Sequence, residues 1–367
     1  MAVNNSTLTS TSAGSVKRLP GPDVVRAVAL IGVVVMNYHG YLILRGGDRN
    51  SNWASDLFDP WTGPLSSRFA ATFVLVAGVG VTLLTRKVVW TGSEDEVTEM
   101  RWRLARRGVL LYAGGLFLDT VWAGTIIPFY GAMFALAALL FTLRSRWVAL
   151  VGAVAVAAGA MLRIWEFQQL QAGADTRWLF FPDESSPESF LFNVFVNGTH
   201  PLLPWFGFFC FGLLLGRVLD TSWWHSAALG AGTALFAGAS IVSGLASTDF
   251  QRTVLSTHPG SLGLVYVASA LGTALVAFAV IDMIANRFED QTDPLRRAGQ
   301  MTLTLYLAHI FAFNFLVDSI GLIEPGGLTT PLLFAFCFWI VAIAAANVWH
   351  RRFGRGPAER MYRAIGG

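Results

Sequence analysis

Charged residues are scarce in this chain. Asp, Glu, Lys and Arg together make up 13% of its 367 residues, whereas a soluble domain carries about 25%. Hydrophobic residues make up 54% of the sequence and are gathered in long runs. This composition excludes a soluble globular domain and predicts an all-α, polytopic membrane helix bundle.

Cysteine is also scarce, and several common catalytic motifs are absent. The two cysteines, Cys210 and Cys337, lie inside apolar runs, which argues against a disulfide framework or a cysteine-based metal site. The sequence has no GxSxG, HExxH or P-loop motif, and no GxGxxG that opens a helix after a strand. These absences argue against a serine hydrolase, a zinc protease and an NTP-driven pump, and we expect no metal. The basic residues cluster beside apolar segments, so the net charge of +3 does not indicate a nucleic-acid partner.

Ten apolar segments predict about ten transmembrane helices. They cover roughly residues 23–44, 65–86, 104–122, 126–143, 147–164, 201–219, 224–246, 261–285, 300–318 and 331–349. Nineteen of the 26 Lys and Arg residues fall on one side of this topology and five on the other. Since basic residues concentrate on the cytoplasmic side, both termini are predicted to be cytoplasmic.

The ends of the chain differ from its middle. Residues 1–17 are rich in Ser, Thr and Asn, which predicts a disordered cytoplasmic segment. Residues 18–350 hold all ten predicted spans and form one membrane domain. Residues 351–367 carry five arginines and are predicted to be a basic cytoplasmic tail.

The first predicted span holds an unusual set of polar residues. Asp23 and Arg26 lie near its start, and Asn37 and His39 near its end. Polar and ionisable groups inside a membrane are costly and often functional, although Asp23 and Arg26 could simply reach toward the interface. A neutral histidine suits a general base, and an amide can donate to a developing oxyanion. His39 and Asn37 are therefore candidates for the catalytic residues of acyl transfer.

Further polar residues lie in or beside other spans, namely Arg68, Asp119, His200, Tyr306 and His309. Tyr306 and His309 are three residues apart and face one side of a helix. They either contribute to a central cavity or form a satisfied buried pair. Asp119 is a candidate ion-pair partner of Arg68.

Four arginines stand close together on the predicted cytoplasmic side: Arg101, Arg103, Arg106 and Arg107. Such a cluster suits the phosphates of an acyl-coenzyme A donor. The alternative is that the cluster only sets the topology.

Three predicted outer connections, residues 45–64, 165–200 and 247–260, carry polar side chains, and the first two combine tryptophans with carboxylates and amides. Aromatic faces beside polar groups suit a sugar, a glycolipid or another polyol. Tryptophan also marks any membrane interface, so both interpretations stay open.

Several segments, in order along the chain, resemble one superfamily. Residues 18–38, with Asp23, Arg26 and Asn37, are similar to the opening motif of the heparan-α-glucosaminide N-acetyltransferase family and of the related YeiB-like bacterial membrane proteins. Three later segments resemble YeiB-like patches: Pro201–Trp205, Gly299–Tyr306 and Phe353–Glu359. Both families belong to the wider group of transmembrane acyltransferases.

The resemblance implies a multi-pass acyltransferase, expected in a bacterial plasma membrane. It implies that an acyl-CoA, expected to be acetyl-CoA, binds from the cytoplasm and that a glycan or glycolipid acceptor binds outside. The sequence departs from the pattern at Ala27, where the family has glycine, and residues 45–64 lack the family's histidine. His39 is the nearest replacement, although no motif assigns it. A homo-oligomer is compatible with this interpretation.

A transporter or lipid-translocating protein is the alternative function. Intramembrane Arg, Asp and His residues also suit a proton-coupled carrier. The sequence shows no evident inverted repeat, which favours the enzyme. Transfer of label from acyl-CoA would distinguish the two.

Overall fold

Helices account for all the regular secondary structure of the computed structural model, which describes residues 19–49, 51–181 and 187–367. Arg18, where the resemblance begins, and the predicted disordered segment 1–17 lie outside the described residues. The first eight α-helices are α1 (Gly21–Leu44), α2 (Trp53–Leu57), α3 (Arg68–Thr91), α4 (Glu94–Asp119), α5 (Ile127–Leu140), α6 (Ser145–Gln171), α7 (Arg177–Phe180) and α8 (Pro187–Phe192).

The second half of the chain also contains both long and short helices. Its α-helices are α9 (Leu202–Val218), α10 (Trp224–Gly244), α11 (Asp249–Val254), α12 (Leu264–Arg287), α13 (Glu289–Gly299), α14 (Thr302–Phe313), α15 (Thr329–Phe353) and α16 (Pro357–Gly366). Helix α8 continues as a π-helical turn over Asn193–Asn197, and α14 continues similarly over Asn314–Ser319.

Seven of these helices are long and apolar enough to cross a membrane: α1, α3, α6, α10, α12, α14 with its continuation, and α15. The protein is therefore a multi-pass integral membrane protein. Helices α5 and α9 are apolar but shorter. They and α4 occupy the three remaining predicted spans.

Helix α4 differs most from its predicted span, 104–122. It begins at Glu94 because Ser93 and Glu96 form a capping box, in which each side chain bonds the other's backbone amide. The arginine cluster consequently lies in the N-terminal part of a long helix that begins ten residues before the predicted span.

Helix α1 lies at the centre of the bundle and contacts α3, α12, α13, α14 and α15. Its residues Val25, Leu30, Val34 and Tyr38 are fully shielded from solvent. We refer to the two ends of the bundle as the Gly21 end and the Leu44 end, after the ends of α1. The sequence predicts that the Leu44 end faces outward.

Close helix contacts depend on small residues. Helices α3 and α9 cross where Gly78 meets the backbone of Phe209 and Gly212 meets that of Leu75. A side chain at Gly78 would lie 2.2 Å from the Phe209 carbonyl oxygen. The backbones could not approach so closely with larger residues.

Candidate functional site

A cavity of about 540 Å³ opens at the Leu44 end of the bundle. Its walls come from α1, α3, α14, the α4–α5 connection and the segment before α9. Three of the polar residues singled out in the sequence line it: Asn37, His200 and Tyr306. Residues that are distant in sequence thus converge on one site, which is typical of binding pockets between helices.

Asn37 links this cavity to a buried histidine. The Nδ2 atom of Asn37 lies 3.2 Å from Nε2 of His309, whose side chain is fully buried. The other ring nitrogen of His309, Nδ1, contacts the backbone carbonyl of Tyr306. Since a carbonyl only accepts, Nδ1 must carry the proton and Nε2 must accept from Asn37. His309 therefore orients the amide of Asn37 from behind the cavity wall.

Tyr306 is fixed by the connection between α4 and α5. Its hydroxyl lies 2.9 Å from Oγ1 of Thr125 and accepts from the amide of Ile126. Asp119 holds the same connection, because its carboxylate accepts from the amides of Gly124 and Thr125 at 2.8 and 3.3 Å.

The candidate ion pair of Asp119 with Arg68 does not form. Arg68 instead donates to the backbone carbonyls of Pro64 and Thr257 and lies over the ring of Tyr266. The carboxylate of Asp119 instead accepts from two backbone amides of the α4–α5 connection. The proposed pairing was therefore wrong.

His200 is the histidine that reaches the cavity wall. Its ring stands edge-on to Trp205, with 4.5 Å between ring centres. The Nδ1 atom of His200 and the Nε1 atom of Trp205 are both buried, and neither has a protein hydrogen-bond partner in the described part of the chain. Burial lowers the pKa of His200 from 6.5 to about 3, so the ring is neutral at physiological pH.

His39 occupies a different environment. Its side chain is buried, and its Nδ1 lies 2.8 Å from the carbonyl oxygen of Phe58. It does not belong to the cavity wall, because two residues along a helix turn the side chain away from Asn37. The catalytic role of His39 stays a prediction, but its position favours a structural contact with the α2 segment.

The motif residues Asp23 and Arg26 form an ion pair at the Gly21 end, with 3.1 Å between their charged atoms. Arg26 also donates to the carbonyl of Gly299, and Gln300 donates to Asp23 at 3.0 Å. A side chain at Gly299 would collide with the backbone of Asp23. The pair therefore joins α1 to the end of α13 and the turn that leads into α14.

Glu359 completes this junction from the other end of the sequence. Its carboxylate accepts from the amides of Leu303 and Thr304 at 2.7 and 3.1 Å and from the Thr304 hydroxyl. These amides belong to the first turn of α14, where backbone donors need acceptors. The segments Gly299–Tyr306 and Phe353–Glu359, which both resemble family patches, are thus in direct contact. Together they position the helix that carries Tyr306 and His309.

Tyr130 lies near the start of α5, with its ring centre 5.5 Å from that of Phe73 in the cavity wall. Its hydroxyl is buried and has no hydrogen-bond partner among the described residues. Nothing in the sequence distinguishes Tyr130 within the apolar run of α5, so it is not among the predicted site residues. Its unpaired hydroxyl is the signal that only the structure supplies.

The four arginines of α4 do not share one environment. Arg101 donates to Thr142 at 3.4 Å, and Arg103 pairs with Glu99 at 3.3 Å. Arg107 is buried, donates to the carbonyl of Gly367 and lies 5.6 Å from the ring of Tyr362. Arg106 is exposed. Helix α16 therefore packs on this cluster, and the donor-binding role of the four residues stays a prediction.

No group of three or more His, Cys, Asp or Glu side chains within residues 19–49, 51–181 and 187–367 is placed to hold a metal ion. The expectation of metal-independent chemistry is untested by this arrangement. Any ligand of the cavity would meet amide, hydroxyl, imidazole and indole groups.

The fold and the cavity define a multi-pass membrane protein with a polar site enclosed by its helices. Two family profiles match the chain. The family described as "Heparan-alpha-glucosaminide N-acetyltransferase, catalytic" matches residues 18–247, and the one described as "Protein of unknown function (DUF418)" matches residues 213–366. The first match covers more than half of the chain, so the chain belongs to the heparan-α-glucosaminide N-acetyltransferase catalytic family. A comparison with curated proteins found no match.

Proposed function

We propose that this protein transfers an acetyl group from acetyl-CoA to a hydroxyl or amine of an acceptor bound in the Leu44-end cavity. Membership of the N-acetyltransferase family supports the reaction class, and that family uses acetyl-CoA. The observation that carries the proposal is the position of Asn37. This residue occupies the asparagine position of the family motif. Its amide lines the cavity and is oriented by its contact with His309.

The cavity supplies the groups that acyl transfer needs. The acceptor attacks the thioester carbonyl and forms a new C–N or C–O bond, while the C–S bond breaks. Asn37 has a second amide hydrogen available for the oxyanion, which is the kind of preorganised donor that stabilises such an intermediate. His200, as a neutral imidazole, takes the acceptor's proton and passes it to the departing thiolate. The oxyanion beside it would raise the low pKa of His200 during the reaction.

The donor reaches this site from the Gly21 end in our proposal. Arg26 lies on α1 between that end and the cavity residue Val33, and the arginines of α4 lie toward the same end. We also propose that the Gly21 end is cytoplasmic and the Leu44 end is outside, in keeping with the distribution of basic residues.

Cysteine accessibility tests this orientation. Ser51→Cys lies at the Leu44 end and Ser93→Cys at the Gly21 end, and both positions are exposed. In a background with Cys210→Ala and Cys337→Ala, an impermeant thiol reagent should label Ser51→Cys in intact cells and leave Ser93→Cys unlabelled. Labelling of Ser93→Cys would contradict the proposal, because the Gly21 end would then face outward.

The acceptor in our proposal is a sugar-like molecule or glycolipid. Trp61 and Trp122 line the cavity together with Arg163 and Ser67. Aromatic faces can pack against the C–H surfaces of a sugar while polar side chains bond its hydroxyls. This mixture of groups supports a polyol more than an apolar acceptor.

The decisive experiment is transfer of radiolabel from acetyl-CoA, with purified protein in lipid vesicles and a cell-envelope extract as acceptor source. Wild-type protein should label a component of the extract, and Asn37→Ala should not. Asn347→Ala is the control, because this amide lies at the Gly21 end and bonds backbone carbonyls there. Proton-driven uptake of a solute without label transfer would favour the carrier instead.

A further inference from the structure

A long apolar groove separates α14 from α15. Its volume is about 1040 Å³. Within the described residues, α15 packs on α1 and α13, and α14 packs on α1 and α16, so these consecutive helices are held apart. Such a gap is unusual for neighbouring helices joined by a short connection, and in a membrane it must be filled by something apolar.

The dimensions of the groove match a lipid chain. It follows α15 from Thr330 to Trp349, and Pro357 lines it at the Gly21 end. At the helical rise per residue this stretch spans about 28 Å, close to the thickness of the hydrocarbon core. Glu324, at the Leu44 end, is its one ionisable carboxylate. The lining is otherwise almost entirely aliphatic, aromatic or small.

The groove is continuous with the surface that faces the bilayer. Its rim residues Leu333 and Val341 are 59% and 67% exposed. Phe311 and Phe315, on the adjoining surface of α14 and its continuation, are also exposed. A hydrocarbon chain could therefore enter sideways from the membrane without crossing water.

Helix α14 stands between this groove and the cavity. Leu305, Ala308 and Ala312 face the groove, whereas Tyr306 and His309 lie on the adjacent face of the same helix. At the Leu44 end, Leu44 lines the cavity and Leu316 lines the groove, and residues close to them in sequence, Arg45 and Asp318, are paired.

An ion pair marks this boundary. Arg45, directly after α1, donates to Asp318 at the end of the α14 continuation, with 2.6 Å between Nη2 and Oδ2. A polar head group resting there would meet both charges while its chain lay in the groove.

We infer that the groove holds the hydrocarbon chain of the acceptor, which is then an amphiphilic lipid that carries an amine or hydroxyl on its head group. This inference rests on the proposed acetyl transfer and narrows its substrate class. The chain lies between α14 and α15, and the head group bends over the Arg45–Asp318 pair into the cavity beside Asn37.

A pair of synthetic acceptors tests the assignment. Hexadecyl glucosaminide and methyl glucosaminide present the same amine and hydroxyls, with and without a long chain. Wild-type protein in lipid nanodiscs should acetylate the hexadecyl compound with a KM at least about ten-fold lower, with both compounds counted as total concentration, because removing a few methylene groups from water is worth that much. Equal KM values would overturn the inference, and so would a ten-fold difference that persists when the groove is filled, because partition into the bilayer alone would then account for it.

Filling the groove should remove the difference in KM between the two compounds. Ala345→Phe places a ring in the groove, whereas Ala344→Phe places the same ring at an exposed position of α15 outside it. Ala345→Phe should raise the KM for the hexadecyl compound and leave transfer to the methyl compound unchanged, and Ala344→Phe should change neither. Ala312→Phe fills the groove from α14 and serves if Ala345→Phe does not fold.

Binding can be measured without activity. A phospholipid with a photoactivatable diazirine in its chain should label peptides of α14 and α15 in nanodiscs. Excess hexadecyl glucosaminide should reduce the labelling, and methyl glucosaminide should not. Absence of labelling in the groove would overturn the inference. Cys337 lies in the groove. If oxidation crosslinked two chains through Cys337, a second copy of the protein would be the occupant of the groove, and the inference would also be overturned.

Failure of the proposed function gives a different result. Wild-type protein would then transfer no label from acetyl-CoA to either glucosaminide, while lipid labelling of the groove persisted. That outcome overturns the acceptor assignment together with the acetyl transfer, whereas transfer to both compounds with equal KM overturns the acceptor assignment alone.

Discussion

Asn37 and His309 lie 3.2 Å apart, on two helices that are separated by most of the sequence. Asn37 faces the cavity and His309 stands behind it, held by the carbonyl of Tyr306. The amide that the motif places in α1 therefore depends for its orientation on α14. This dependence makes the catalytic role of Asn37 testable through a residue that does not line the cavity.

Asn37→Ala should lower kcat of acetyl transfer by about 10²–10³-fold, the usual loss when an oxyanion donor is removed. His309→Ala should cause a smaller loss, because the amide is still present but less well oriented. The double variant should be no worse than Asn37→Ala alone, since His309 acts through Asn37. Additive losses in kcat would show that His309 contributes independently.

The two histidines of the Leu44 end should behave differently. His200→Ala should lower kcat by about 10²–10⁴-fold, as expected when a general base is lost. His39→Ala should keep activity within a few-fold and lower the melting temperature, because its ring bonds the carbonyl of Phe58. The sequence alone predicts the large kinetic loss for His39→Ala, so side-by-side kinetics of these variants decide between the two assignments.

The pH dependence of stability should report the burial of His200. In the unfolded chain this histidine gains a proton as the pH falls below 6.5, whereas in the folded chain it stays neutral until about pH 3. The unfolded state therefore binds more protons between these values, and acidification lowers stability. The melting temperature should fall more between pH 7 and pH 5 for wild type than for His200→Gln. Equal falls would mean that the ring is accessible to solvent and titrates normally.

The membrane helices were predictable from composition, while the partners of their polar residues were not. Apolar runs located α1, α3 and α12, because burial in lipid demands them wherever a helix crosses. The early start of α4 depends on the local bond between Ser93 and Glu96, which hydrophobic periodicity does not register. A helix pattern shows that Asn37 and His39 face different sides, but only the packing of the bundle determines which side meets the cavity.

The Gly21-end junction shows the same limit. Resemblance singled out the segments containing Thr304 and Glu359 as separate patches, without a reason for either. Their contact explains both, since Glu359 caps the helix that begins just before Thr304. A carboxylate that caps a helix start can be recognised in the sequence when it is close to that start in the chain. Here the capping carboxylate comes from a helix that is distant in sequence.

Glu359→Ala should destabilise the protein by about 0.5–2 kcal/mol, the range for loss of a helix cap. The amides of Leu303 and Thr304 would lose their acceptor at the start of α14. Thermal unfolding in detergent measures the change. Glu99→Ala, an exposed glutamate on α4 that pairs with Arg103, is the matched control and should have little effect. Similar melting temperatures for wild type and Glu359→Ala would contradict the assigned cap.

The arginine cluster of α4 should separate into a binding residue and a structural one. Arg106 is exposed, whereas Arg107 is buried against the residues of α16 and donates to Gly367. If the cluster binds the phosphates of acetyl-CoA, Arg106→Gln should weaken coenzyme A binding, and the difference from wild type should shrink as salt screens the exposed charge. Arg107→Gln should instead lower the melting temperature in the absence of coenzyme A.

Calorimetry in detergent at two salt concentrations measures the effect of Arg106→Gln on coenzyme A binding. Arg360→Gln, an exposed arginine on α16, controls for a general loss of positive charge at this end. Unchanged coenzyme A affinity in Arg106→Gln would leave this residue as a determinant of topology alone.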